Sequence, residues 1–307
     1  VTGLGRPARI KRQWLALSAA ALMAPAVLFS GGCSVGGQGT DTGGRPAELA
    51  VTRDFGGSSL GSAEFLRLPA GPTVMRLLQG EFDTQTSYGG RFVTAIEGLE
   101  SAKNPARDWI YYVNGEEADV GAAELRVRPG DRVQWDYHRW DGMTIGRQIV
   151  GAFPQPFSAR GARIVCARDG DPNCREAEQR LRTAGVRIVK SAGVPIGVGL
   201  PSGLAKRQEL PSLTRPGGQS GLMIRARGDR IELLDDTATP RGSVPPRGGV
   251  VVAADGDDGP AWFVTGRDDA GVAAALNLLT RNELADQFGR WVDGAGEPHM
   301  LPWRGGL

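Results

Sequence analysis

The chain has 307 residues, 40% of them hydrophobic, with 36 basic and 34 acidic side chains and a formal net charge of +2. That apolar content suits folded domains with buried cores and excludes a disordered or collagen-like chain. The positive balance is local: residues 1–32 carry four basic and no acidic groups, so the remainder has 36 − 4 = 32 basic against 34 acidic residues, a net charge of −2 that gives no footprint for nucleic acid.

Arg6, Arg9, Lys11 and Arg12 precede an uncharged apolar run from Trp14 to Phe29, which leads to Ser30, Gly31, Gly32 and Cys33. This is the order of a secretory signal peptide, predicted over 1–32. The run falls short of the roughly 20 residues that span a bilayer, and Pro25 interrupts it. Cys33 after small residues resembles the lipobox of bacterial lipoproteins, in which that cysteine receives diacylglycerol. Ser30 stands where Leu is usual, so cleavage by the general signal peptidase stays open. The expectation is an exported protein, lipid-anchored at the outer face of the cell membrane. Residues 33–47 (CSVGGQGTDTGGRPA) form its flexible tether, rich in Gly, Ser and Thr.

From 48 to 157 the pattern predicts one α+β module. Leu49–Gly56 and Ser62–Gly71 read as a hairpin, and Pro72 opens a helix over TVMRLLQGEF. Strands follow at Arg91–Leu99, Asp108–Ala118 and Asp131–Trp140, with turns at Asn114-Gly115 and Pro129-Gly130. One helix lying across a mixed sheet in this order is a β-grasp-like domain.

From 158 to 307 an α/β module of unknown type is predicted. ARIVCA, a helix from Pro172 to Ala184 capped by Asp171, and VRIVKS make a strand–helix–strand unit. Residues 191–219 read as a loop. Apolar runs at Ser220–Arg225, Arg230–Leu234 and Gly249–Ala254 precede AWFVTG and a long helix over AGVAAALNLLTRNELADQF. Outside a lipidated Cys33, the even pair Cys166 and Cys174 in an oxidising compartment predicts a disulfide.

The tract DWIYYVNGEEADVGAAELRVRPGDRVQWDYHRW concentrates Trp109, Tyr111, Tyr112, Trp135, Tyr137, His138 and Trp140 in two strands. Alternation sets Trp109 and Tyr111 against Tyr112, and Trp135 and Tyr137 against His138 and Trp140. One face must cover the helix; the other is free to offer rings to a ligand. The ligand-binding candidates are Trp109, Tyr111, Tyr112, Asn114, Tyr137, His138 and Trp140, against the alternative that the aromatics pack the core and Asn114 serves only its turn.

The tract W-I-Y-Y-V-N-G-E, the G-D turn and W-D-Y resemble the DUF4430 family over about residues 48–157. That family is similar to the C-terminal domain of the vitamin B12 carriers intrinsic factor and transcobalamin and to the SLBB group of β-grasp domains. The resemblance implies a domain that helps to hold a corrinoid such as cobalamin, or another extracellular ligand. In the B12 carriers a helical domain supplies the other half of the site, so a helical-domain or transporter partner is implied.

Catalytic templates find no match. The two histidines, His138 and His299, lie in different modules, and there is no HExxH motif. Gly199–Gly203 lacks the spacing of a nucleophile elbow. Asp255, Asp257 and Asp258 lack the later Glu of a calcium loop. No metal or catalytic residues and no cofactor are expected. The reading is a surface-tethered binding lipoprotein, accessory to corrinoid uptake and not an enzyme; the alternative is an adhesive envelope protein working through protein–protein contacts.

Overall fold

The computed structural model describes residues 39–140, 146–214, 221–256 and 259–305. The expected signal peptide, Cys33, residues 34–38 of the expected tether, and Asp257 and Asp258 lie outside the described residues. The rest of the expected tether is not loose: Thr40–Asp41 pairs antiparallel with Arg67–Leu68, Thr42 is buried, and Ala47 opens the first long strand. Strand β1 (Ala47–Arg53) pairs antiparallel with β2 (Ser58–Phe65) and parallel with β4 (Arg132–Arg139), which pairs antiparallel with β3 (Ala106–Val113). The last strand therefore lies between the first and the third. Helix α1 (Val74–Glu81) is opened by Thr73, whose side chain accepts from the Arg76 N–H, and it buries Val74, Met75, Leu77 and Leu78. These residues share one core with Leu49, Val51, Trp109, Tyr111, Val133, Trp135 and Tyr137.

Two features of this part differ from the sequence expectation. The hairpin turn falls at Asp54–Gly57, so β2 begins at Ser58, four residues before the predicted Ser62. The predicted strand over Arg91–Leu99 is Phe92–Ile96, and it lies in a separate three-stranded sheet with Thr84–Ser87 and Leu99–Glu100. TQTS carries no apolar alternation, so its pairing was hidden in the sequence.

The second part is a six-stranded mixed sheet. Strands β5 (Ala162–Cys166), β6 (Val194–Val198) and β8 (Gly259–Gly266) run parallel; β7 (Gly249–Gly256), β9 (Gly289–Val292) and β10 (Pro298–Leu301) complete the order β5-β6-β8-β7-β9-β10. Helices α2 (Pro172–Thr183) and α3 (Asp269–Leu276) pack on one face, sharing a core with Val251, Ala253, Trp262 and Val264. Alternate residues Val250, Val252, Ala254 and Phe263 face a small antiparallel sheet of Ile224–Arg227, Arg230–Leu234 and Pro240–Ser243. Close packing of α3 on β7 requires glycine: a Cβ on Gly249 would lie 2.0 Å from the Gly271 carbonyl oxygen. Cys166 and Cys174 are joined by a disulfide across the β5–α2 connection.

The partner strand of β5 is not VRIVKS, which contributes one bridge between Ala162 and Ile188, but VPIGV inside the predicted loop. Pro195 argued against a strand there. It is tolerated because β6 meets β8 only over Ile196–Val198, so no ladder bond needs a donor at Pro195. The long C-terminal helix is also two: α3 stops at Leu276, and Thr280 caps a separate turn over Arg281–Leu284 by accepting from the Glu283 N–H.

Residues 38–307 form one compact unit. Phe55, Tyr112 and Ile149 from the first part share a buried cluster with Leu233, Phe288 and Trp291 from the second. The aromatic sheet is thus covered on both faces. Trp135 is 3% exposed, with its ring 4.8 Å from Tyr111. Trp135→Ala is expected to lower stability by about 3–5 kcal/mol, as a large-to-small core change does, measured by urea unfolding.

Candidate functional site

β4 carries Trp135 and Tyr137 toward α1, and Asp136 and His138 toward the second part. Asp136 is wholly buried, yet its carboxylate is fully met: Oδ1 accepts from the Phe55 N–H at 2.9 Å and from His138 Nδ1 at 2.8 Å, and Oδ2 from the Thr52 hydroxyl at 2.6 Å and the Gly56 N–H at 2.8 Å. To aim those N–H groups, Asp54, Phe55 and Gly56 all take positive φ (61°, 63° and 79°). For a residue as bulky as Phe55 this conformation is strained, and its environment must hold it there. The ring stacks on His138 at 4.4 Å and meets Phe288 edge-on at 5.2 Å. Beside this turn, burial pushes the Asp54 carboxyl up, but hydrogen bonding and attraction from Arg107 and Arg304 outweigh it and hold the group below its ordinary value.

His138, with Nδ1 bound to Asp136, borders a pocket of about 470 Å³ at the end of β4. Ile110, Tyr112, Phe92 and the half-exposed Trp140 supply apolar wall; Glu117, Arg147 and Asp108 supply charge. Burial pushes the Glu117 carboxyl above its ordinary value, partly offset by Arg147 at 3.5 Å and by His138. The Tyr112 hydroxyl is pushed well up by burial, with Glu117 and Asp136 adding to the shift. The site therefore sets aromatic surface beside a partly desolvated carboxylate, Glu117, and a more exposed guanidinium, Arg147.

The seven sequence candidates divide. Tyr112, His138, Trp140 and Trp109 border this pocket. Tyr111 and Tyr137 do not; they lie in the core under α1, with their hydroxyls donating to the Val120 carbonyl at 2.6 Å and the Glu100 carbonyl at 2.8 Å. Burial, with Asp119 and Glu124 nearby, pushes Tyr111 up to about 12. Most of the Trp109 side chain also belongs to that core, and its indole N–H donates to the Leu99 carbonyl at 2.9 Å. Asn114 sits at the turn with φ 56°, bonding Asp131 through its amide nitrogen and accepting from the Arg132 N–H. Sequence reasoning missed Glu117, Arg147, Phe92 and Asp136. Only Asp136 had a local signal, its place two residues from His138 on the same strand face.

Residues 71–139 match the family model DUF4430, "Domain of unknown function". The match begins just before α1 and ends on the last residue of β4. No curated protein matches the chain. Among solved structures, a protein of Ruminococcus gnavus ATCC 29149 described as a candidate metal binder is similar at 16% identity and a TM-score of 0.27, over 31% of this chain and 98% of that one. Haptocorrin in complex with Cbi is similar at 16% identity and a TM-score of 0.26, over 31% of this chain and 25% of that one.

Asp136→Asn replaces one acceptor oxygen with a donor that would face two of the donors from β1, its turn and His138. Since an unsatisfied buried polar group costs about 1–3 kcal/mol, we expect a loss of at least that size, seen as a lower urea midpoint and as altered fluorescence of Trp140.

Proposed function

With residues 71–139 forming a DUF4430 domain, we propose that the chain is an extracytoplasmic binding lipoprotein, anchored through Cys33, whose pocket beside Trp140 takes one edge of a corrinoid or a similarly flat, amphipathic ligand. The observation that carries this reading is the exposed Trp140 ring set against Tyr112, His138, Glu117 and Arg147 at one pocket. Small-molecule sites combine such apolar walls with a few converging polar groups, in volumes of about 300–1,000 Å³. A pocket near the lower end of that range holds part of a corrinoid. A helical-domain partner or a transporter supplies the rest, and the chain itself binds without chemistry. The sequence resemblance of the family to the C-terminal domain of the B12 carriers supports the corrinoid. Tyr88 and Leu66, 86% and 65% exposed, favour the second reading, an adhesive envelope protein.

Calorimetry on residues 34–307 with cobalamin and with cobinamide, with and without a helical-domain partner, tests the ligand. Trp140→Ala is expected to weaken binding more than tenfold at unchanged unfolding free energy. Absence of heat under every condition overturns the corrinoid reading.

The anchor is tested separately. Cys33→Ala is expected to abolish metabolic labelling by fatty acid and to release the protein or leave its precursor uncut, whereas unchanged labelling means that the lipid is elsewhere.

A further inference from the structure

The six-stranded sheet ends on β5, and part of that strand's outer edge is open. On the inner side the Val194 N–H donates to the Gly161 carbonyl at 3.0 Å and the Ala167 N–H to the Val198 carbonyl at 2.9 Å. On the outer side the Ala162 N–H donates to the Arg187 carbonyl at 2.8 Å, and the Ala162 carbonyl accepts from the Val189 N–H at 2.9 Å. Alternation along the strand turns the N–H and C=O of Ile164 and Cys166 outward with those of Ala162. Among the described residues no strand pairs with them: β5 is in register with β6 alone, and the bridge to Ile188 stops at Ala162. Beyond that bridge lies a groove of about 440 Å³ along the open edge, walled by α2 and by residues 188–190.

The charge around this groove selects its occupant. Arg163 and Lys190 line it, and among the described residues neither has an acidic partner; Arg175 gives its guanidinium to the Gly170 carbonyl at 3.1 Å. The acidic groups there are already engaged. Glu178 is paired with Arg182 at 2.7 Å, and Asp171 caps α2 and pairs with Arg168 at 3.0 Å. Two copies meeting edge to edge about a two-fold axis would bring these basic groups together, which disfavours self-pairing.

We propose that the Ile164–Cys166 edge receives an extended, acidic segment of a partner protein as an added strand, with main-chain bonds to β5 and carboxylates toward Arg163 and Lys190. Strand addition of this kind draws affinity from the backbone and selectivity from the flanking side chains. The Cys166–Cys174 disulfide fixes the end of the edge to the first turn of α2. This surface is separate from the pocket beside Trp140 and needs no corrinoid.

The test uses residues 34–307 and a fluorescein-labelled peptide of alternating Glu and Val, read by anisotropy. Saturable binding is expected, with at least a tenfold loss when alternate peptide nitrogens are methylated. Ile164→Pro removes an outward donor from an edge, where proline is tolerated, and is expected to cost a similar factor. Lys190→Glu, a surface change, is expected to weaken the acidic peptide several-fold and favour a Lys/Val counterpart. Absent binding overturns the proposal, as does methylation-insensitive binding, which is charge attraction alone. A dimer in sedimentation velocity that Ile164→Pro abolishes, with no peptide bound, assigns the edge to a second copy and overturns it too.

Discussion

A carboxylate in the interior must be met by donors or the fold pays for its lost hydration, and Asp136 is such a group. Its four partners come from β1, from the turn that follows β1, and from its own strand. Meeting them forces the Asp54–Gly56 turn into left-handed backbone, and that turn delivers Phe55 to His138 and Phe288. Gly56 is required at this place for a second reason, since a Cβ there would lie 2.0 Å from the Asp286 carbonyl oxygen. The junction between the two parts is thus built outward from one anion.

Polar groups extend the junction along the same strand. Gln134 donates to the Asp286 carbonyl at 2.8 Å, while Arg132 pairs with Asp286 at 2.6 Å and with Glu48 at 2.5 Å. Residues 132, 134, 136 and 138 therefore read as a polar face by alternation, although they are covered. An exposed sheet face and a face buried against charged partners share this pattern, and the difference decides where a ligand can reach. Among the described residues a ligand can reach this strand at its two ends, beside Arg132 and Asp286 at the start and beside His138 and Trp140 where the chain leaves the sheet.

The two surfaces proposed for recognition differ in kind. The pocket beside Trp140 joins aromatic rings to charges of both signs, a composition suited to a small amphipathic molecule. The β5 edge offers main-chain donors and acceptors among basic groups, a composition suited to a peptide strand. They lie on different sheets.

The sequence determined the elements whose signal is local. Asp171 caps α2, Asn114-Gly115 turns with positive φ at both residues, and Trp135 and Trp140 meet opposite fates, one buried and one half exposed, all following from hydrogen bonding or strand period. Tertiary structure decided whatever depended on partners distant in the chain. Val194–Val198 became a central strand despite Pro195 because its neighbour made no demand there. Tyr111 and Tyr137 were lost to the core because carbonyls at Val120 and Glu100 satisfied their hydroxyls. Arg147 joined Glu117 and His138 at the pocket from beyond the strand, and His138 was buried by Phe288, 150 residues further on. Periodicity gives the direction of a side chain, but what stands in that direction is fixed by packing between distant segments.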